Sequence, residues 1–355
     1  MHHQTSMARE LLGWYRRAGR DLPWRKTKDP YRIWVSEIML QQTRVETVKS
    51  YYERFLRLFP TVATLAEAPQ EEVLKAWEGL GYYSRARNLQ KAAQDIITKH
   101  GGAFPERYEE LLRLPGIGAY TAGAIASIAF GERTPAIDGN VYRVTARVFG
   151  IREDISATDT QRRLRALVTE NLPDESLGDY NQALMELGAT VCVPGVPRCG
   201  HCPWMERCDA YAEKDAQLLP VQMKKNPPKR VSVAVCLLTF GKQILVARRQ
   251  QRMLHGLYVF HLIEEETRGQ AVQELLSEQG FACRYQAHLG AARHVFTHRV
   301  WEMELLHYDL LKSPSPALLS EFHARLVAKE ALTSLPFPAA MRAAREQAVV
   351  LLSKI

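Results

Sequence analysis

The sequence predicts a multidomain protein, with an all-α region at residues 1–216 and a mixed α/β domain at residues 231–355. Its 355 residues exceed the size of one ordinary domain. Apolar residues recur at helical spacing through the first part, whereas strand-like apolar runs begin only after residue 230. Between them, residues 217–230 contain three prolines and four basic residues. That composition is typical of an interdomain linker.

The composition excludes several classes of protein. Apolar residues make up 46% of the chain and charged residues 24%, which is a normal mixture for a soluble globular protein. No run approaches the roughly 20 apolar residues of a membrane helix, and the N-terminal segment lacks the apolar core of a secretory signal. We therefore expect a cytoplasmic protein without membrane contact, associated with the nucleoid if the source is bacterial.

The net charge of +8 is unevenly distributed along the chain. Residues 1–220 hold 29 basic and 28 acidic side chains, while residues 221–230 hold four basic side chains and no acidic one. Because the helical region is almost neutral, it can bind nucleic acid only through local basic patches and backbone N–H groups.

Proline and glycine divide the first region into helical segments. The apolar periodicity predicts helices over residues 31–59, 71–99, 106–113, 119–130, 140–149 and 160–171. Within the first predicted helix, a continuous helical segment over residues 34–51 places Glu37, Gln41 and Arg44 on one polar face. A glutamate on such a face is usually solvated, and it has a catalytic role only where that face lines a cleft.

Residues 111–126 predict a helical hairpin. One helix ends at Leu114, a tight turn contains Gly116 and Gly118, and a helix of small residues starts near Ala119. Glycines at both positions permit positive φ and close backbone approach, and the following helix N-terminus offers N–H groups to an anion. The hairpin therefore predicts a DNA phosphate site, and the alternative is an ordinary αα-turn with glycine caps.

Asp138 stands immediately before the helical run that follows the hairpin. The simplest interpretation is a helix N-cap. The N–H groups and dipole of that helix would depress the pKa of the carboxyl and keep it ionised, which also suits an anion facing a developing cation. The pattern alone favours capping over catalysis.

Four of the six cysteines lie within 17 residues and follow the spacing C-x6-C-x2-C-x5-C. They are Cys192, Cys199, Cys202 and Cys208. Four thiolates at such intervals suit either a [4Fe–4S] cluster or a tetrahedral zinc ion. The spacing leaves both metals open.

The second region has the pattern of an α/β domain. Two strands, Val231–Phe240 and Gln243–Ala247, are joined by a turn at Gly241 and Lys242. The elements predicted after them are a helix at 271–279, strands at Ala282–Leu289 and Val300–Tyr308, and a terminal helix at 338–352.

The sequence contains the hairpin, the aspartate and the four cysteines in an order that resembles the endonuclease III superfamily of DNA base-excision glycosylases. Within that superfamily, it is most similar to the adenine DNA glycosylase (MutY) branch. The segments that carry the resemblance are DLPWR (21–25), VSEIMLQQTRV (35–45), LKAWEGLGYYSRARNL (74–89), LPGIGAYTAGAI (114–125) and AIDGNVYRV (136–144). The resemblance implies a helix-hairpin-helix fold and a [4Fe–4S] cluster on the four cysteines. It also implies a monomer acting on double-stranded DNA with adenine opposite 8-oxoguanine or guanine.

The resemblance further implies roles for the matching residues. Glu37 would protonate N7 of a flipped adenine, and Asp138, oriented by Asn140, would stabilise the deoxyribose cation. Tyr120 stands where strand-cutting members carry a lysine, and since a phenol cannot form an imine, we expect a monofunctional enzyme. The predicted adenine pocket consists of Trp24, Arg25 and Gln182. The predicted DNA contacts are Gln41, Gln42, Thr43, Leu80, Tyr82, Ser84, Arg85, Gly116, Gly118, Phe296, Thr297 and His298, with Gln42 and Tyr82 as wedges.

Residues 231–355 resemble the Nudix-like domain of this branch. The Nudix pattern R-E-U-x-E-E-x-G-U is matched by QELLSEQGF, where Gln273 replaces the arginine and Ser277 the first glutamate of the metal-binding pair. Nucleotide hydrolysis is therefore not expected. Instead, residues 296–298 match a Phe-Ser-His loop that reads 8-oxoguanine, with threonine replacing serine. A bifunctional glycosylase/lyase and a non-enzymatic DNA-damage-binding module remain the alternatives.

Overall fold

The computed structural model describes residues 2–222, 227–264 and 270–354, which form two compact units. The first unit comprises residues 1–67 and 88–225, and the second comprises residues 68–87 and 226–355. The sequence assigned all of residues 1–216 to one helical region, so the membership of residues 68–87 in the second unit is a difference from that prediction. No helix in the described part of the chain has the length and apolar character of a membrane span.

The first unit is helical, as predicted. In chain order, the helices up to residue 212 are α1 (His2–Ala18), α2 (Pro30–Leu40), α3 (Val45–Leu58), α4 (Val62–Glu67), α5 (Gln70–Ala76), α6 (Ser84–His100), α7 (Tyr108–Leu111), α8 (Ala119–Ala129), α9 (Gly139–Val148), α10 (Thr158–Glu170), α11 (Leu177–Thr190) and α12 (Asp209–Ala212). Three short 3-10 turns lie at Pro23–Arg25, Cys199–His201 and Met205–Arg207. Of these helices, α5 and the first four residues of α6 belong to the second unit. Helix α11 packs against α1, α8 and α9, and it buries Tyr180 and Leu187 against Leu11 of α1.

Two of the predicted helices are each divided in two. Helix α2 ends at Leu40 and α3 begins at Val45, with Gln42 in the left-handed region at φ 57°. Gln41 and Arg44 are therefore cap residues, and the predicted continuous helix that put them on one face with Glu37 is wrong. Likewise, the segment between α5 and α6 contains Tyr82 at φ 47°. A left-handed residue ends a right-handed helix because its backbone cannot continue the hydrogen-bond pattern.

The helical hairpin is present, with two differences in detail. Helix α8 begins at Ala119 as predicted, but the preceding helix ends at Leu111 instead of Leu114. Gly116 has φ 76°, and a Cβ there would lie 2.6 Å from Asn88 Cβ. Gly118 has φ −92°, so only Gly116 of the two turn glycines uses the positive φ that glycine permits. Gly118 is the N-cap of α8 and carries no capping side chain.

The second unit combines a sheet with helices, as predicted for an α/β domain. Its strands are β1 (Lys229–Phe240), β2 (Gln243–Arg248), β3 (Tyr258–Val259), β4 (His261–Ile263), β5 (Cys283–Val295), β6 (Arg299–Leu310) and β7 (Ala324–Ala328). The order is β3-β2-β1-β6-β5, with β4 paired to β1 and β7 to β2. Strand β1 runs parallel to β6, and the other pairs are antiparallel. The helices of this part are α13 (Gln270–Glu278), α14 (Pro316–Glu321), α15 (Ala331–Ser334) and α16 (Arg342–Lys354).

Alternating side chains of β1 fill two cores. Val233, Val235 and Leu237 pack on the side that holds α16, and the intervening residues, such as Cys236, pack on the side that holds α13. This alternation is the expected pattern for a strand buried on both faces. Strand β1 begins at Lys229, inside the predicted linker 217–230, and Lys224 and Lys225 of that linker lie outside the described residues.

Residues 68–87 belong to the second unit through specific bonds. Arg345 Nη1 of α16 lies 2.7 Å from Glu78 Oε1, and the Tyr83 hydroxyl donates a hydrogen bond to the carbonyl of Phe337 at 3.3 Å. These contacts attach the loop that carries Tyr82 to the sheet domain.

Candidate functional site

Glu37 and Tyr120 form the centre of the site in the first unit. Glu37 lies on α2, and its side chain is buried against α8. Tyr120 is the second residue of α8, and its hydroxyl donates a hydrogen bond to Glu37 Oε2. Burial raises the pKa of Glu37 to about 7, although the hydrogen bond from Tyr120 acts in the opposite direction. Burial and the adjacent Glu37 hold the pKa of Tyr120 well above its ordinary value.

Asp138 is the N-cap of α9, as predicted. Its Oδ1 accepts a hydrogen bond from the backbone N–H of Val141 at 2.8 Å, and its Oδ2 accepts one from Asn140 Nδ2 at 2.7 Å. The expected depression of its pKa is wrong, because burial raises the pKa of Asp138 more than these hydrogen bonds lower it. Both carboxyls of the site therefore hold protons more tightly than they would in water.

Arg143 connects the aspartate to the cysteine segment. Its Nη2 donates hydrogen bonds at 2.8 Å to Asn140 Oδ1 and to the carbonyl of Gly188, and its Nε donates one at 2.8 Å to the carbonyl of Cys192. A Cβ at Gly188 would lie 2.6 Å from Asn140 Cβ, so glycine allows α11 to approach α9 here. Arg143 was not predicted, although it lies just over one turn into the helix capped by Asp138.

The predicted pocket residues lie in the same unit as this centre. Trp24 is buried with its ring edge-on to Tyr52 at 5.5 Å, and Gln182 is buried on α11. Arg25 Nη2 lies 2.7 Å from Glu186 Oε2, one turn after Gln182 on that helix. The Tyr120 hydroxyl also lies 3.1 Å from Met185 Sδ. Met185 and Glu186 were not predicted, although their helical spacing from Gln182 places all three on one face.

The remaining predicted contacts of the first unit lie at its turns. Gln41 Nε2 donates a hydrogen bond to Thr121 Oγ1 of α8 at 3.3 Å, which ties the α2–α3 turn to the hairpin helix. Thr43 bonds the carbonyl of Gln41 at 3.4 Å, and Gln42 occupies the left-handed position between them. Gln42 is exposed at this turn, and its role as a wedge stays a prediction.

Tyr82 projects from the loop of the second unit, while two of its neighbours point inward. The Tyr82 ring is 49% exposed, in keeping with a wedge, and Ser84 begins α6. Leu80 and Arg85 are buried, and the Arg85 guanidinium lies beside the rings of Trp77 and Tyr82 and donates to the carbonyl of Leu80 at 3.0 Å. Burial lowers the pKa of Arg85 to about 10. The side chains of Leu80 and Arg85 pack within the loop, and the contact of these residues with DNA stays a prediction.

Residues 296–298 form the turn between β5 and β6. The Phe296 ring packs edge-on against Trp301 at 5.0 Å, and the Thr297 and Tyr82 hydroxyls are 3.1 Å apart. Thr297 and His298 border a cleft of about 1200 Å³ in the second unit. Other residues along this cleft are Tyr82, Ser84, Arg87, Arg249, Arg252 and Arg299.

The four predicted metal ligands come together in the first unit. Cys192, Cys199, Cys202 and Cys208 all line one small cavity of about 20 Å³, and each is partly buried. Arg147 Nη1 lies 3.4 Å from Cys192 Sγ. Among residues 2–222, 227–264 and 270–354, no group of three or more His, Cys, Asp or Glu side chains is arranged to hold a metal ion.

Comparison with known proteins identifies both units. Residues 35–170 match the HhH-GPD superfamily of base excision DNA repair proteins, and residues 233–347 match the NUDIX domain. The solved structure of a thermostable thymine-DNA glycosylase is similar over 59% of this chain and 97% of its own, with 30% identity and a TM-score of 0.55. A non-covalent endonuclease III–DNA complex, at 23% identity and a TM-score of 0.51, shares the fold.

Curated relatives match over most of the chain. The adenine DNA glycosylase of Homo sapiens is 37% identical over 83% of this chain, and the match spans 65% of the human protein. That of Mus musculus is 35% identical over 95% of this chain and 77% of its own length. The predicted family and fold class are thereby confirmed. This chain belongs to the adenine DNA glycosylase family, within the HhH-GPD superfamily of base excision DNA repair proteins.

Proposed function

We propose that this protein hydrolyses the N-glycosidic bond of adenine mispaired with 8-oxoguanine, or less readily with guanine, in double-stranded DNA. The product is an abasic site. The observation that carries the proposal is the buried Glu37, which accepts a hydrogen bond from Tyr120 and has a pKa raised by burial and by the charge of Asp138. The enzyme would act as a monomer in the cytoplasm on chromosomal DNA.

Glu37 is the general acid of the proposed reaction. Adenine stacked in a duplex is out of reach, so it is turned out of the helix into the pocket. A carboxyl with a pKa near neutrality is largely protonated below pH 7 and can transfer its proton to N7 of the base. Protonated adenine then leaves as a neutral molecule. Trp24 and Gln182 would form the walls and polar contacts of this pocket.

Asp138 provides the opposing anion. As the base leaves, positive charge develops on the deoxyribose, and a fixed carboxylate lowers the energy of that cation electrostatically or by a transient adduct. The developing cation also favours the ionised carboxyl, which offsets the burial of Asp138. Val141 N–H and Asn140 Nδ2 hold its two oxygens in place.

Tyr120 supports a monofunctional reaction. A Schiff base requires a primary amine, and the side chain at this position is a phenol that is hydrogen-bonded to Glu37. The chain therefore releases adenine and leaves the strand uncut.

The cleft of the second unit is the proposed reader of the opposite base. Thr297 and Tyr82 place two hydroxyls 3.1 Å apart on its edge, next to the exposed Tyr82 ring. A hydroxyl pair can bond the edge of 8-oxoguanine, and an aromatic ring inserted beside it compensates for the lost stacking. Recognition of 8-oxoguanine over guanine is assigned to this pair.

We also propose a [4Fe–4S] cluster on the four cysteines. The common cavity of the four thiols, beside the buried cation of Arg147, supports this assignment. When bound, the cluster would cross-link residues 192–208 and keep that loop in its folded position. Elemental analysis should find about four iron atoms per chain, whereas a stoichiometric amount of zinc would contradict it.

The function is tested with duplexes that carry A·8-oxoguanine, A·G or A·T pairs. Adenine release is measured directly, and strands are analysed with and without alkali. We expect excision in the order A·8-oxoguanine, A·G and A·T, with strand breaks only after alkali. Glu37→Gln should abolish excision and retain duplex binding. Strand cleavage without alkali at the rate of base loss would favour a bifunctional lyase, and an active Glu37→Gln variant would contradict the assigned acid.

A further inference from the structure

Glu186 is a second buried carboxylate of the first unit, and the reaction proposed above gives it no role. Its side chain is fully buried on α11. The backbone N, Nε and Nη2 of Arg20 donate hydrogen bonds to it at 3.0, 2.8 and 2.8 Å, and Arg25 Nη2 donates one at 2.7 Å. Although burial acts against ionisation, the hydrogen bonds from Arg20 and Arg25 bring the pKa of Glu186 down to about 2.

Arg25 is the charged group that both carboxylates share. It forms an ion pair with Glu186, and its positive charge also acts on Glu37 and Tyr120. Three contacts hold it: Glu186, the carbonyl of Arg20 at 3.1 Å and the ring of Tyr15 at 5.3 Å.

The surroundings of the two carboxylates are otherwise different. The titratable and charged groups around Glu37 are Tyr120 from α8, Asp138 from the start of α9 and Arg25 from the Pro23–Arg25 turn. Those around Glu186 are Arg20, Arg25 and Tyr15. Of these two carboxylates, Glu186 accepts hydrogen bonds from arginine side chains, whereas the side-chain hydrogen bond to Glu37 among the described residues comes from Tyr120.

We propose that Glu186 is a positioning residue that holds Arg25 on the pocket wall and away from Glu37, so that Glu37 keeps the proton it donates. The inference rests on the proposed role of Glu37 as general acid. An arginine paired with Glu37 would stabilise the carboxylate and remove the acid at neutral pH. Glu186 therefore determines which of two buried carboxyls is ionised.

The test is the pH dependence of base excision in Glu186→Gln, made in the full chain. Single-turnover excision from an A·8-oxoguanine duplex is followed between pH 5 and pH 9, with enzyme in saturating excess. The wild-type rate should fall as the pH rises through about 7. A free arginine within about 4–6 Å lowers a carboxyl pKa by about one to three pH units. In Glu186→Gln, the pH at which the excision rate falls should therefore be lower than in the wild type by at least about one unit. In the double variant with Glu186→Gln and Arg25→Met, the pH at which the rate falls should rise again towards the wild-type value.

Glu78→Gln is the matched control. Glu78 is also a carboxylate that joins two basic side chains, Lys75 at 2.6 Å and Arg345 at 2.7 Å, but it belongs to the second unit. The pH at which its rate falls should equal that of the wild type. If Glu186→Gln fails to fold, Glu186→Asp serves instead, since its side chain keeps the charge but is too short to reach both arginines. In this variant the pH at which the excision rate falls should decrease as in Glu186→Gln, but by less.

A second readout does not depend on catalysis. The carbonyl stretch of protonated Glu37, identified by its disappearance in Glu37→Gln, can be titrated by infrared difference spectroscopy. In Glu186→Gln this signal should vanish at lower pH than in the wild type. If the excision rate and the infrared signal of Glu186→Gln both titrate at the wild-type pH, while the rate drops equally at every pH, Glu186 has only a structural role and the inference is wrong. A wild-type protein that excises no adenine would instead contradict the proposed function, and the infrared titration would still decide the role of Glu186.

Discussion

The hydroxyls of Tyr82 and Thr297 lie 3.1 Å apart, although 215 positions separate the two residues in the sequence. Both belong to the second unit, because residues 68–87, which include Tyr82, are bonded to the sheet domain. The contact joins the predicted wedge to the predicted reader of the opposite base. A change in either residue should therefore affect the same property.

That property is discrimination between 8-oxoguanine and guanine. Thr297→Val preserves shape but removes the hydroxyl, and one lost hydrogen bond of about 1 kcal/mol corresponds to about a fivefold loss of preference. The ratio of single-turnover rates on A·8-oxoguanine and A·G duplexes measures it. Thr297→Ser keeps the hydroxyl and should keep the ratio. An unchanged ratio in Thr297→Val would exclude Thr297 as a determinant.

The parts of the fold that were predicted correctly carry strong local signals. Asp138 before a helical run specified an N-cap, and a glycine turn between two apolar runs specified the β1–β2 hairpin. Helix α8 starts where the small residues begin, at Ala119. Each of these depends on a few neighbouring residues, which a sequence displays directly.

The features that could not be predicted depend on tertiary packing. Arg25 and Glu186 are 161 positions apart, and nothing in their neighbourhoods indicates that they pair. The end of α2 at Leu40 has no glycine or proline signal, because the turn is made by Gln42 in the left-handed region. The pKa of Asp138 depends on how deeply the cap is buried, and capping alone predicts the opposite sign.

The hydrogen bond from Tyr120 to Glu37 should be visible in the pH profile. It favours the ionised carboxyl, so its removal in Tyr120→Phe raises the pKa of Glu37 further. Glu37 then stays protonated to higher pH, so the excision rate of Tyr120→Phe should fall at a higher pH than that of the wild type. Tyr31→Phe is the control, since it removes another buried tyrosine hydrogen bond, to the carbonyl of Phe59. If the excision rate of Tyr120→Phe fell at a lower pH than that of the wild type, the assigned hydrogen bond would be contradicted.

The close approach of α11 to Asn140 gives a steric prediction. Alanine favours a helix over glycine, so any loss of activity in Gly188→Ala cannot come from helix propensity. The added Cβ would meet Asn140 Cβ at 2.6 Å and displace the side chain that holds Asp138. Excision should fall by at least about tenfold, equivalent to about 1.4 kcal/mol of lost transition-state stabilisation. Gly13→Ala is the control within helix α1, because its new Cβ would meet only Arg17 Nη1, at an ordinary contact distance of 3.6 Å, and it should retain full activity.

Glu37 should also reduce the stability of the folded protein at neutral and alkaline pH. Its pKa is raised from 4.5 to about 7 in the folded state, so between these values the folded protein binds more protons than the unfolded chain. Stability contributed by this group is therefore complete below pH 4.5 and is lost as the pH rises through 7, a total of about 3 kcal/mol at most. Glu37→Gln carries no charge at any pH. Its free energy of unfolding relative to the wild type, measured with urea, should be greater at pH 8 than at pH 5. An equal difference at both values would show that Glu37 titrates alike in the folded and unfolded states, and would remove the physical basis for its role as the acid.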